Sequence, residues 1–279
     1  MKFPLSPEER ALSYSKYYYW TLYPREPMQM ELIREPMDPC DVLLPENFND
    51  LYNPGYLPRE CGYCVMPDGT GYASAYVYMP SVTVEMIDWW YVWHFISPPS
   101  VPREHGNLRY KIWCPIEHWD TGFSNDESYE KAIDDSVPMR QRRYGSENFI
   151  YESLDGGEGD NRIMFNAKCF DPVDMGLDPE KVNIPENGTM ITAMSHMNDM
   201  DMLNIYHVRP AYNGVEMRIR TYTGVGLRNG KFVRDTAGKI ITPEQVRMGC
   251  LHCLLEYPHL GRFLPSLYAE EGKKPVWEY

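Results

Sequence analysis

The stretch GCLHCLLEYPHLGRFLPSLY, residues 249–268, sets His252 and Glu256 four residues apart among leucines. On a helix that spacing puts both side chains on one face. Such a pair can supply two ligands to a metal ion, or can bond to itself as a satisfied polar pair at a helix end. A carboxylate in an apolar interior is costly unless a positive group compensates it, and a cation is one such group. The same stretch carries Cys250 and Cys253, and Cys61 and Cys64 form a second pair of that spacing. The two pairs are too far apart in sequence for a zinc ribbon. Neither follows a strand in a βαβ pattern, so all four read as free thiols. Two more residues have suitable types. His118 follows the apolar run in RYKIWCPIEHW, and Glu152 alternates with Ile150 and Leu154 on one face of NFIYESL. On spacing alone, a surface histidine and a rim carboxylate fit these positions as well as two ligands do.

Positioning these residues takes a helix and several strands. TPEQVRMGCLHCLLEY begins with Thr242 as N-cap, Pro243 at the first helical position and Gln245 completing a capping box. Pro258 is expected to end or kink this helix near Tyr257. GTGYASAYVYMP alternates at Ala73, Ala75 and Val77 and reads as a strand. SVTVEMIDWWYVWHFI reads as a helix capped by Thr83. LRYKIWCP, NFIYESL, NRIMFNAKCF, GTMITAMSHM and the run from Met202 to Leu227 read as strands, with turn signals at DGGEGDN, PENG and YNG. RNGKFVRDTAGKI reads as a turn-rich connection. Upstream, Ser6-Pro7 has the order of a helix start, and the rest of residues 1–70 reads as irregular chain with short elements. The expected architecture is α+β: an N-terminal attachment over 1–70, and over 71–279 an antiparallel sheet gripping a long final helix.

Composition narrows the function. The chain has 279 residues, enough for one large domain or a main domain with a smaller attachment, and its 43% hydrophobic and 24% charged residues are the balance of a globular protein. Its 22 Tyr and 7 Trp suit a pocket that needs both apolar walls and hydrogen bonds, or simply a β-rich core. With 40 acidic against 27 basic residues and no basic run, nucleic acid and a bilayer surface are excluded as partners. MIDWWYVWHFI is broken by Asp88 and His94 and is too short to span a membrane. The start lacks the apolar core of a signal peptide, so a cytoplasmic location is expected. Seven cysteines, an odd number, argue against a disulfide framework.

MPSVTVEMIDWWYVWHF, LRYKIWCPIEHW, YGSENFIYESL, GVEMRIRTYTG and HCLLEYPHLGRFLPSLYAEE, in this order, resemble the 2,4-diacetylphloroglucinol hydrolase and phloretin hydrolase family from about residue 60 onward. The resemblance implies a Bet v 1-like helix-grip domain and one catalytic zinc ion per chain. Carried over by motif, the metal ligands would be His118, Glu152, His252 and Glu256. Glu147 and His259 rank behind Glu152 and Glu256. Tyr110, His196 and Tyr212 would contact a phenolic substrate, Tyr206 being a rival to Tyr212. Tyr110, His196 and Glu152 would take part in the chemistry. Thr121 stands where the family often has Asn. The implied activity is hydrolysis of the C–C bond between a polyhydroxylated ring and an acyl group. A non-enzymatic carrier of an aromatic or lipid ligand and a metal-dependent phenolic acid decarboxylase are the alternatives. The aromatic N-terminal attachment leaves a homodimer open.

Overall fold

The computed structural model describes residues 4–154 and 162–278. The expected turn at DGGEGDN, residues 155–161, lies outside them. The helices are α1 (Pro7–Ala11), α2 (Pro27–Leu32), α3 (Val84–Trp93), α4 (Leu108–Lys111), α5 (Asp126–Ile133), α6 (Pro179–Val182) and α7 (Pro243–Glu271). The strands are β1 (Gly62–Val65), β2 (Gly71–Pro80), β3 (His118–Phe123), β4 (Glu147–Glu152) and β5 (Ile163–Cys169). They continue with β6 (Thr189–Met197), β7 (Met200–Ala211), β8 (Gly214–Thr223), β9 (Val225–Arg228) and β10 (Lys231–Arg234). Eight strands form one antiparallel sheet in the order β1-β2-β8-β7-β6-β5-β4-β3, and β9 pairs with β10. The sheet grips α7 on one face, the α+β helix-grip arrangement expected above.

The local signals explain most elements. Thr83 accepts from the Met86 backbone at the start of α3, and Thr242 with Gln245 forms the capping box of α7. Alternation in β2 buries Ala73, Ala75 and Val77 in the main core beneath α7. The β7–β8 hairpin turns at Tyr212-Asn213, where Asn213 takes φ 53°, a conformation that asparagine tolerates well.

Three expectations are corrected. First, α7 does not end at Pro258 but runs unbroken through Pro258 and Pro265, 29 residues in all. Each proline forfeits a helix hydrogen bond, worth about 3 kcal/mol with its steric clash. Burial of Tyr257, Leu260, Phe263, Leu264 and Leu267 offsets that loss. Gly261 lets the helix approach β2 closely, since a Cβ there would stand 2.9 Å from Met79 Cγ. Second, LRYKIWCP is not a strand. Asn107 caps the short helix α4 by accepting from the Arg109 backbone. The alternation misleads because the polar members are buried too: Arg109 donates to the carbonyls of Val276 and Glu278, and Lys111 pairs with Glu9. Third, RNGKFVRDTAGKI supplies β10 and the Asn229-Gly230 turn of a small hairpin.

The N-terminal segment packs on the main body. Tyr14, Tyr17 and Tyr18 belong to the main core, with Tyr14 edge-on to Trp93 and Tyr17 against Phe263. The sheet begins upstream of residue 71, because β1 pairs with β2. No helix among the described residues is long and apolar enough to cross a membrane.

Candidate active site

His118 opens β3 and Glu152 closes β4, and the antiparallel register sets the two directly opposite each other. The uninterrupted α7 lays His252 and Glu256 over them. His118 Nε2 lies 3.3 Å from Glu256 Oε2 and 3.5 Å from Glu152 Oε2, and His252 Nε2 lies 3.4 Å from Glu256 Oε1. Ligand atoms of His118, His252 and Glu256 all fall within 4.8 Å of one another, a group that could hold a metal ion. Glu152 sits at the edge of this trio, its Oε2 accepting from the Tyr110 hydroxyl. Glu147, at the exposed start of β4, pairs with Lys168 instead. His259 lies beyond the trio and packs against Phe263.

The donor set fits a cation. His118 is fully buried, and its Nδ1 faces the Tyr110 carbonyl at 3.3 Å, which leaves the lone pair on Nε2. That Nε2 has no hydrogen-bond partner among the described residues and faces the two carboxylates. Tyr110 stacks on the imidazole, ring centroids 3.9 Å apart and nearly parallel, which locks its plane. Burial raises the pKa of both Glu152 and Glu256, opposed by His252 and reinforced by Glu117. Burial and the nearby His252 push His118 well down. Burial would also lower His252, but Glu256 and then Glu117 raise it to about 10. Without a cation the cluster must hold protons that a metal would displace.

A residue that the sequence reading missed completes the arrangement. Glu117 is fully buried, and its Oε2 accepts from His252 Nδ1 at 2.7 Å, turning Nε2 toward Glu256. A carboxylate behind a ligating imidazole fixes tautomer and ring orientation. Arg25, from the N-terminal segment, donates to the Leu251 carbonyl at 2.6 Å and acts electrostatically on Glu117. Nothing in PIEHW marks Glu117 for this task, because the contact spans 135 residues.

The cluster lines a cavity of about 480 Å³ between the sheet, α3 and α7. Its walls include Tyr91, Tyr110, Trp113, Tyr206 and Tyr257, together with Thr121. Tyr91 and Tyr257 share a hydroxyl–hydroxyl bond of 2.6 Å, and Asn204 Oδ1 accepts from Thr221 Oγ1 at 3.0 Å. Two expected substrate residues lie elsewhere. The residues of β6 that line the cavity are Ile191, Ala193, Ser195 and Met197, so His196 points to the opposite side. There its side chain is 61% exposed and bonds Asp201 Oδ1 at 3.0 Å. Tyr212 sits in the β7–β8 turn, 95% exposed. His94 and Tyr206, the second of which is the rival to Tyr212, do line the cavity. His94 Nδ1 bonds the Trp90 carbonyl at 2.6 Å, and burial lowers its pKa to about 3, so it stays neutral. All seven cysteines are free. Cys253 lines the cavity, whereas Cys250 is buried against the Gly62 carbonyl.

Fold and site together define a helix-grip protein with a buried histidine–glutamate cluster set in an aromatic cavity. The chain belongs to the family described as the DAPG hydrolase PhiG domain, whose model matches residues 43–269. It is 28% identical over 269 residues to the phloretin hydrolase of Eubacterium ramulus, covering 95% of this chain and 92% of that one. It is 23% identical over 281 residues to a 2,4-diacetylphloroglucinol hydrolase of a Pseudomonas species, covering 94% and 90%. Among solved structures, that of Ara h 8.0201 aligns with a TM-score of 0.41 at 8% identity, over 71% of this chain and 99% of that one.

Proposed function

We propose that this protein is a metal-dependent hydrolase that cleaves the C–C bond between the ring and the acyl carbonyl of an acylphloroglucinol. What carries the reading is the convergence of His118, Glu152, His252 and Glu256 on the wall of an aromatic cavity, in a chain of this family. These four side chains would hold the ion. Zinc suits two imidazoles, two carboxylates and a hydrolytic task. A divalent cation there would polarise the acyl carbonyl and make water nucleophilic near neutral pH.

The remaining work falls to the chain. Glu152, buried and raised in pKa, takes a proton from the attacking water. The water oxygen bonds to the acyl carbon, and the bond from that carbon to the ring breaks. The departing electron pair settles onto a ring oxygen, because a polyphenol can carry it as an enolate. Tyr110, whose hydroxyl already faces Glu152, donates to that oxygen. Glu152 then returns the proton to the ring carbon, giving a free polyphenol and a carboxylic acid. Tyr206 and Asn204 hold the other ring hydroxyls. Hydrogen-bonding groups at these positions lie inside the cavity, which is why His196 and Tyr212 are not assigned to it.

The test is metal content and phloretin turnover, measured on the wild type and on the His252→Ala/Glu256→Ala double variant. About one zinc per chain, lost together with turnover in the variant, supports the reading. Intact, folded protein without metal would turn the assignment to a carrier of an aromatic ligand. Carbon dioxide in place of a carboxylic acid would make it a decarboxylase. The cytoplasmic location and the homodimer are expectations of the same reading, the second checked by analytical ultracentrifugation.

A further inference from the structure

The cavity has two chemically distinct halves. Toward β7 and β8 its wall carries Asn204, Tyr206, Thr221 and, on β6, Ser195, a set suited to a ring with several hydroxyls. Toward β4 and β5 the wall is Ile150, Phe165, Ala167 and Cys169, and in it sits one amide, Asn148. Asn148 is fully buried. Its Nδ2 donates to Ser146 Oγ at 3.3 Å and to Cys169 Sγ at 3.7 Å. Its Oδ1 is left with no hydrogen-bond partner among the described residues. A buried carbonyl oxygen without a donor costs about 1–3 kcal/mol, so the position is stable only if something else repays it.

From this we infer that Asn148 Oδ1 is the receptor for a hydroxyl at the far end of the substrate's acyl arm. The inference rests on the acylphloroglucinol reading for the reacting end. Glu152 and Asn148 lie on the same face of the same strand, four residues apart, so they are separated by about 13 Å of extended chain. With the acyl carbonyl held at the Glu152 end, the ring's own hydroxyls stay within a ring's width of that carbonyl. A two-carbon arm carrying a second ring reaches further, through the apolar half of the cavity. A phenol at its tip arrives as the donor that Asn148 lacks. The substrate class is thereby narrowed to 3-(4-hydroxyphenyl)propanoyl phloroglucinols, of which phloretin is the parent. A short acetyl arm fills neither the apolar half nor the amide.

The experiment compares three compounds on the wild type and on Asn148→Leu, a substitution that keeps the branched shape and the number of heavy atoms and removes the acceptor. They are phloretin, its analogue without the hydroxyl on the arm's ring, and 2,4-diacetylphloroglucinol. The expected wild-type preference for phloretin over its analogue is at least about tenfold in kcat/KM, expressed in KM. In Asn148→Leu that preference collapses, and phloretin loses at least about tenfold more than 2,4-diacetylphloroglucinol does. Equal treatment of phloretin and its analogue by the wild type overturns the inference, and needs no variant. So does a uniform loss across all three compounds in a folded variant. Calorimetric binding of 3-(4-hydroxyphenyl)propanoate against 3-phenylpropanoate is run alongside. If no compound is cleaved, the proposed function fails. A hydroxyl preference in binding that Asn148→Leu abolishes would still uphold the role of Asn148, and no preference would end it.

Discussion

Individual side chains show how much of this site rests on contacts that sequence spacing cannot display. Glu117 is the clearest case. Because it holds His252 Nδ1 at 2.7 Å, Glu117→Ala is expected to weaken metal binding by about 10–100-fold, read by chelator competition. Glu117→Gln, which keeps an oxygen at that position, should lose less. Glu152→Gln is expected to lower kcat by at least about 100-fold while the folded protein keeps its far-UV spectrum. Unchanged turnover would remove Glu152 from the chemistry. The metal-free cluster also has a pH signature. His252 is raised from 6.5 to about 10 in the folded state, so between those values the folded chain binds more protons than the unfolded one. Stability gained from His252 is therefore full below pH 6.5 and is lost as pH rises through about 10. The buried carboxylates Glu152 and Glu256, also raised, shift stability in the same direction. Urea midpoints of metal-free protein should accordingly fall on the alkaline side, and metal loading should flatten the decline, since bound ligands carry no proton to lose.

Among the elements, α7 does the most positioning. Its start was legible, because Thr242, Pro243 and Gln245 are local signals read by the nearest turn of backbone. Its length was not, because Pro258 and Pro265 are locally adverse and only tertiary packing, against β2, α3 and the N-terminal tyrosines, outweighs them. Gly261→Val should expose that dependence: the added atoms meet Met79, and a loss of about 1–3 kcal/mol is expected in urea unfolding. A neutral result would mean that α7 and β2 can separate without cost. β6 teaches a different lesson. Parity along a strand decides which face a residue takes, and one step of register moves every side chain to the other side. His196 therefore stands outside although Ser195 and Met197 stand inside. α4 departs from the expected strand because alternation of apolar and charged residues normally marks a half-exposed strand, whereas here the charged residues are buried with partners.

Taken whole, the molecule binds its N-terminal segment to the main body through buried charge as well as aromatic packing. Lys111 and Glu9 have no exposed side-chain surface. Lys111→Met would strand the Glu9 carboxylate, and a destabilisation of about 3–5 kcal/mol is expected, with faster proteolysis of the first 60 residues. Arg25 gives the same segment a place behind Glu117, so loosening it should also weaken metal binding. Periodicity, caps and turn residues suffice for the α+β class, for the start of the last helix and for the shared face of His252 and Glu256, since each depends on neighbours a few residues away. The meeting of His118 with Glu152, the support from Glu117, the inward turn of Tyr206 and the unpaired carbonyl of Asn148 depend on strand register and on contacts between segments that lie far apart in sequence, 135 residues in the case of Glu117 and His252. Those are energies of packing, and no local pattern carries them.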